Sequence, residues 1–115
     1  MDFQIVKRGD VFYADLPISQ GSVQGGRRPV VVLSNDIGNA VSPVFICAPL
    51  TTKLKKHLPT HVSINRNKWL LDSTVLCEQI LTVGKERLGR HMTHLPESTM
   101  GSIENAVHVS LGMTR

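Results

Sequence analysis

Cysteines and aromatic residues are both scarce in this sequence. Cys47 and Cys77 are the only cysteines and do not form a CxxC pair. Each falls among apolar residues in a predicted strand, so each reads as a small buried hydrophobe rather than as half of a disulfide, a metal ligand or a nucleophile. Only five of the 115 residues are Phe, Tyr or Trp, and the core is therefore the first claim on them, including the lone Trp69. No apolar run approaches ~18 residues and the N-terminus is too polar for a signal peptide, so no membrane contact and a cytoplasmic location are expected. There is no P-loop, dinucleotide fingerprint, HExxH or Cys/His zinc spacing, and no metal or cofactor is expected. Internal repeats, linkers and low-complexity tracts are absent, so residues 1–115 are expected to form a single domain. That length suffices for a core without staples.

Acidic residues are also missing from one region. Between Arg27 and Leu71 there are seven Lys/Arg against one acid, Asp36, a balance of +6. The remainder has six Lys/Arg and eight acids, a balance of −2. A basic middle fits a polyanionic partner, although a solvated basic face would give the same count.

Periodicity gives the elements. Val11 to Leu16 alternates as a strand and Pro17 stops it. Ile18 to Gly26 is a loop longer than a tight hairpin needs, and such loops tend to carry function. Strands are predicted over Arg28–Asn35, Val44–Leu50, Thr60–Ile64 and, as the last and longest, Ser73–Thr82. Asn35–Pro43 reads as a polar connection, Thr51–Lys56 as a basic turn, Asn65–Leu71 as a basic hairpin region and Lys85–Gly89 as a short turn or helix. His91 and His94 are placed on a surface turn. Pro96 opens a final helix in its first position, with Met100, Ile103, Val107 and Leu111 along one face. The fold class is mainly β with α, a small half-open β-barrel with a C-terminal helix packed on it.

The stretch from Gly21 to Asn35 concentrates the chemistry. Glycines 21, 25 and 26 free the backbone, Arg27 and Arg28 follow, and Val30 to Leu33 reads as a strand buried on both faces. A cation thus sits where a polar loop meets the stiffest part of the core, which suits an anionic group such as phosphate. Arg27 should point to the opposite face from Arg28 and is left out of the site. Thr51 ends the third strand, while Ser73, Glu78 and Gln79 lie on the last. If the sheet curls, these strand ends can meet at one rim. Arg28 and Thr51 together suit cleavage of a ribose-phosphate backbone, because the ribose 2′-hydroxyl is its own nucleophile and needs only orientation, charge stabilisation and a proton for the leaving oxygen. Among five dispersed histidines, His61 is the best placed to reach such a site. The competing readings are a structural ion pair for Arg28, a strand-end cap for Thr51, a solvated turn for Lys53, Lys55 and Lys56, and core or dimer packing for Trp69.

Ordered motifs from Val6 to Gly112 carry a family resemblance. They are Lys7-Arg8-Gly9-Asp10-Val11, Ala14-Asp15-Leu16, Gly21-Ser22, Gln24-Gly25-Gly26 with Arg28-Pro29, Asn35-Asp36-Ile37-Gly38-Asn39, Ser42-Pro43 and Leu50-Thr51. Leu58-Pro59-Thr60-His61-Val62, Asp72-Ser73, Glu78-Gln79-Ile80 and Ser110-Leu111 continue them. The chain resembles the MazF/PemK toxin endoribonucleases of type II toxin–antitoxin pairs. The resemblance implies a homodimeric SH3-like barrel that cuts single-stranded mRNA at short sequences without a metal, leaving 2′,3′-cyclic phosphate and 5′-hydroxyl ends. It also implies inhibited translation and growth, and neutralisation by a cognate antitoxin through an extended acidic segment. By position it makes Arg28 and Thr51 catalytic, and it assigns RNA contacts to Ser22, Gln24, Gly25, Gly26, Asn35, Ser73, Glu78 and Gln79. A guanidinium is almost never deprotonated, so the arginine stabilises charge and helps protonate the leaving group, and the base is unassigned.

One departure concerns the loop. The family commonly reads Gly-Ser-Glu-Gln there, and Val23 stands in place of the Glu. Valine can neither orient a 2′-hydroxyl nor read a base edge, which bears on rate and cleavage sequence but not on the fold. Two other functions stay open from sequence: a gyrase-poisoning toxin of the same barrel, whose C-terminal Trp-Gly-Ile is Gly-Met-Thr-Arg here, and an RNA-binding scaffold.

Overall fold

Three consecutive valines, Val30 to Val32, have no solvent exposure at all, and the strand that carries them has neighbours on both edges. The computed structural model describes residues 5–17, 21, 23–53 and 57–113. Its elements are β1 (Asp10–Leu16), β2 (Gly26–Val32), α1 (Asp36–Val41), β3 (Val44–Thr51), β4 (His61–Ile64), β5 (Ser73–Leu76), β6 (Leu81–Gly84), a 3-10 turn (Lys85–Arg87), β7 (Leu88–His94) and α2 (Glu97–Ser110). The sheet runs β4-β5-β3-β2-β1-β7, with β6 also on β3. Every pairing is antiparallel. The seven strands do not close on themselves, which leaves the half-open barrel that the sequence predicts. No helix among the described residues is long and apolar enough to cross a membrane.

Strand alternation fills both faces. From β1, Val11 and the partly buried Tyr13 join Val31, Ala48, Leu50 and Val75 beneath Met100, Ile103 and Ala106 of α2. Phe12, Ala14 and Leu16 point the other way and meet Val30, Val32, Phe45, Cys47 and Val83. Each fully buried aliphatic or aromatic side chain contributes about 1.5–3 kcal/mol, so two mainly aliphatic clusters, with Phe12 and Phe45 in the second, make the core on the two faces of one sheet. α2 starts one residue later than expected. Pro96 is its N-cap, and the Pro96 carbonyl accepts the Met100 N–H at 3.0 Å. The helix ends in a Schellman turn: Gly112 has φ +70°, its N–H donates to the Val109 carbonyl, and the Met113 N–H donates to that of His108. Leu111, expected on the packed face, is exposed. Nothing in the structure explains Gly101.

Three expectations are corrected. Asn35–Pro43 is not an irregular connection but holds α1. Asn35 Oδ1 accepts the Gly38 N–H at 2.7 Å as an N-cap, and buried Asn39 exchanges hydrogen bonds with the Ser34 hydroxyl and carbonyl. β2 accordingly stops at Val32 rather than at Asn35. The predicted Ser73–Thr82 strand is two strands. β5 sets Val75 against Leu50, and an unbroken ladder would then set Glu78 against Cys47, whereas Leu81 sits there, three residues further on. A turn between the two absorbs the excess, with the Gln79 N–H on the Leu76 carbonyl and the Cys77 N–H on that of Thr60.

The third correction is β7, where a surface turn was expected. Its partners on β1 are His94 for Asp10, Thr93 for Val11 and His91 for Phe12, so Met92 is the extra residue of a bulge. The bulge sends Met92 into the cluster under α2 and brings both histidines to the face of Asp10. His91 Nε2 lies 3.2 Å and His94 Nδ1 2.8 Å from Oδ1 of that buried carboxylate, whose Oδ2 accepts the Lys7 N–H.

Ile103 is the α2 residue with no exposure. Ile103→Ala is expected to lower unfolding free energy by about 2–5 kcal/mol, the range for emptying a buried aliphatic site. A urea melt would show it as an earlier midpoint with an unchanged slope.

Candidate active site

The loop entering β2 folds back on the strand it precedes. Gly26, at φ +74°, turns the chain into β2 through a conformation that a side chain would strain. Two residues on, the Arg28 guanidinium reaches back to this loop. Its Nε donates to the Gly25 carbonyl at 2.9 Å and its Nη1 to the Gln24 side-chain oxygen. The Gln24 N–H in turn donates to Gln79 Oε1 at 2.7 Å, which ties the loop to the turn after β5. These bonds fix the plane of the guanidinium and leave it donors to spare.

Thr51 reaches the same place through register. β2 and β3 pair Val32 with Cys47, Val31 with Ala48 and Val30 with Pro49. Continued by two residues, that register sets Arg28 across from Thr51, and directly opposed residues share a face. Thr51 is 9% exposed and its Oγ1 accepts the Lys53 N–H at 3.1 Å. With the oxygen engaged as an acceptor, the hydroxyl hydrogen is available for donation. On its far edge β3 pairs Thr51 with Thr74, which brings the neighbouring Ser73 alongside.

A cavity of about 550 Å³ opens here. Arg28, Thr51, Gln24 and Ser73 line it together with Tyr13, Arg27, Lys53, Leu70, Trp69 and Met92. Three cations of the basic middle segment thus share one hollow. Its described lining holds no carboxylate and no imidazole, so what it offers an anionic ligand is positive charge and hydrogen-bond donors. Arg27 does leave β2 on the opposite face from Arg28. It pairs with Asp15 at 3.4 Å, its cross-strand partner, and its Cζ lies 5.4 Å from the Tyr13 ring centroid. The cavity is nevertheless lined by both arginines, so Arg27, left out of the site on strand alternation, belongs to its lining.

The other sequence-derived site residues divide. Gly25, Gly26 and Gln79 hold the loop that carries Arg28. Ser22, with Lys55 and Lys56, lies outside the described residues. Asn35 is not brought to the cavity: it follows the opposite end of β2 from Arg28, and its side chain caps α1. Glu78 faces away, toward His61 and Thr60. His61 is buried rather than poised at the site. Its Nδ1 accepts the Leu58 N–H at 3.1 Å, so Nε2 carries the hydrogen that meets Glu78 Oε2 at 2.8 Å. Trp69 is not in the core of the chain. It is 61% exposed on the cavity wall, in a polar stretch without apolar alternation, which was the signal for a loop. Tyr13 and Met92 were not expected at the site; Met92 gets there only through the β7 bulge.

Ionisation follows these contacts. Burial opposes charge on Glu78, but hydrogen bonds from His61, from its own N–H and from Thr60 outweigh it and hold the carboxyl below its ordinary value. Burial pushes the Cys47 thiol up to about 12. Burial, with Glu78 adjoining, raises Cys77 to about 11. Both cysteines are free and buried, as the sequence suggested, although Cys77 lies in the turn and not in a strand.

Residues 7–111 match the family of PemK-like, MazF-like toxins of type II toxin–antitoxin systems. Over 112 residues the chain is 48% identical to the endoribonuclease MazF of Staphylococcus epidermidis, covering 95% of this chain and 93% of that one. A mycobacterial endoribonuclease solved in complex with its cognate antitoxin superposes with TM-score 0.80 at 28% identity, covering 96% of this chain and 98% of its own. MazF of Deinococcus radiodurans shares the fold with TM-score 0.83 at 22% identity, covering 96% and 100%.

Because the Glu78 carboxyl is held low, its ionised form stabilises the fold fully above the ordinary carboxylate range. That stabilisation is lost as pH falls through the lowered value. Glu78→Gln should therefore be less stable than the parent at neutral pH and converge with it in acid, as read from urea midpoints across the carboxylate range.

Proposed function

Since the chain belongs to the PemK-like, MazF-like toxins of type II toxin–antitoxin systems, we propose that it is a single-domain endoribonuclease acting at the cavity between Arg28 and Thr51. Its substrate is single-stranded mRNA in the cytoplasm, and cutting it stops translation and growth until an antitoxin intervenes. The observation that carries this reading is the clamped guanidinium facing a threonine hydroxyl across one β register, in a hollow of cations and donors.

The chemistry asks little else of the protein. The ribose 2′-oxygen attacks the adjacent phosphorus while the bond to the 5′-oxygen breaks, which gives a 2′,3′-cyclic phosphate and a 5′-hydroxyl. The 2′-hydroxyl loses one proton and the leaving oxygen gains one. Arg28 holds two phosphate oxygens in its planar fork and stabilises the charge that grows on them. Thr51 donates its hydroxyl hydrogen to one of these oxygens. Lys53 and Arg27 carry positive charge to the flanking phosphates, while Gln24 and Ser73 supply polar contacts along the strand. Without a carboxylate or imidazole in the described lining, the hollow works by charge stabilisation and proton donation: the Arg28 guanidinium helps deliver a proton to the leaving 5′-oxygen, and the attacking 2′-hydroxyl gives its proton to solvent water.

Two partners complete the reading. An extended acidic antitoxin segment matches the cationic hollow, and covering Arg28 would stop cleavage. A second copy of the chain matches the exposed apolar side chains of Ile37, Val41, Val44 and Ile46, clustered on α1 and the start of β3. Sedimentation at micromolar concentration is expected to give twice the chain mass, and a monomer would end the dimer proposal.

The central experiment incubates the protein with a long unstructured RNA in excess EDTA and maps the ends. Discrete cuts with 5′-hydroxyl termini are expected. Arg28→Ala should lose about 10²–10³-fold in turnover, the size of one lost electrostatic donor, while its RNA affinity changes far less. Equal cutting by the parent and Arg28→Ala proteins would remove Arg28 from the mechanism.

A further inference from the structure

Trp69 is the single tryptophan of the chain, yet it is 61% exposed and forms part of the cavity wall that Arg28 and Thr51 also line. Its loop is built to hold it there. Asn67 Oδ1 accepts the N–H groups of both Trp69 and Leu70, at 2.7 and 2.9 Å. The Asn67 N–H donates to the Leu70 carbonyl at 2.8 Å, and the Arg66 N–H donates to the Asp72 carboxylate. Leu70, next in sequence, is 5% exposed and anchors the loop in the cluster beneath α2. A tightly bonded turn with one residue sunk in the core therefore carries its largest apolar ring outward. Lys68 Nζ lies 5.2 Å from the Trp69 ring centroid, so the exposed indole has a cation over its ring.

Resting on the ribonuclease reading above, we infer that Trp69, with Lys68 behind it, is the stacking platform for the nucleobase next to the scissile phosphate. A nucleotide whose phosphate sits between Arg28 and Thr51 extends its base to the rim of the same cavity, where the indole is the more exposed of the two aromatic rings in the lining, Tyr13 being partly buried. Stacking on an aromatic ring is tolerant of base identity because every base has a π-face. The ring therefore grips and orients the strand, and hydrogen bonds elsewhere choose the sequence. It also demands an unpaired base, since a paired base is already stacked. Lys68 strengthens the arrangement through its contact with the indole and by its charge beside the phosphates.

Two measurements test this. The first compares cleavage of one RNA oligonucleotide by the parent, Trp69→Phe and Trp69→Ala proteins. Trp69→Ala should lose roughly 5- to 150-fold in kcat/KM, the equivalent of one base–aromatic stack, mostly through KM. Trp69→Phe should recover most of it, and all three should melt at the same temperature and keep the same oligomeric mass. The second titrates the Arg28→Ala protein with the same RNA and follows the fluorescence of its only tryptophan alongside RNA anisotropy. A saturable quench coinciding with binding is expected. Unchanged kcat/KM in Trp69→Ala, binding without a change in tryptophan emission, or loss of the dimer in Trp69→Ala would overturn the inference. A parent protein that cuts no RNA would sink the nuclease reading instead, and the fluorescence titration would still decide the role of the ring.

Discussion

The antiparallel register between β2 and β3 is the constraint on which the rest of this molecule depends. Three valines of β2, with no exposed surface, lock against Cys47, Ala48 and Pro49. A slip of one residue would turn each side chain of β2 to the other face of the sheet, so the register is strongly specified by burial on both sides. The same register, run two residues toward the loop, brings a guanidinium and a hydroxyl into opposition. The core therefore sets the geometry of the site. The backbones of Arg28 and Thr51 cannot be misaligned without misaligning the core.

What the register does not fix, the loop does. Arg28 is long and flexible, and ordering such a side chain costs up to about 2 kcal/mol of rotamer entropy. Bonds to the Gly25 carbonyl and the Gln24 side chain meet that cost before a ligand arrives. Gln24 is itself secured to Gln79, in the turn that exists because β5 and β6 pair with β3 out of step. The break that sequence periodicity missed thus supports the loop that holds Arg28.

Much of the architecture was legible because burial writes a pattern. The unbroken apolar runs at Val30–Leu33 and Val44–Leu50 could only be central strands, and the spacing of Met100 and Ile103 could only be a packed helix. Arg28 stood out by position, between a glycine-rich loop and such a run, and Thr51 by ending the next one. The hidden parts have physical causes. α1 is short and its outward Ile37 and Val41 are exposed, so no amphipathic period marks it; only Asn35 as an N-cap three residues before Gly38 could have. β7 pairs on one edge and contains a bulge, which erases the period of two. The turn at Cys77–Ile80 is invisible because each flanking half is apolar and the register slip is a property of the pairing, not of either segment. Position on the last predicted strand and the family resemblance point Glu78 to the site, and His61 is the best placed of five histidines, yet the two satisfy one another away from the cavity.

The two cysteines lie in different halves of this design. Cys47 belongs to the cluster shared by β1, β2, β3 and β6, and Cys77 to the one beneath α2. The thiolate is the reactive form, and burial, which pushes the Cys47 thiol up to about 12, opposes forming it. In the folded chain both sulfurs are buried and held as thiols. Each sulfur becomes reactive when its own side of the sheet opens. The sheet therefore contains two built-in reporters, one per face, able to tell which half of the core gives way first.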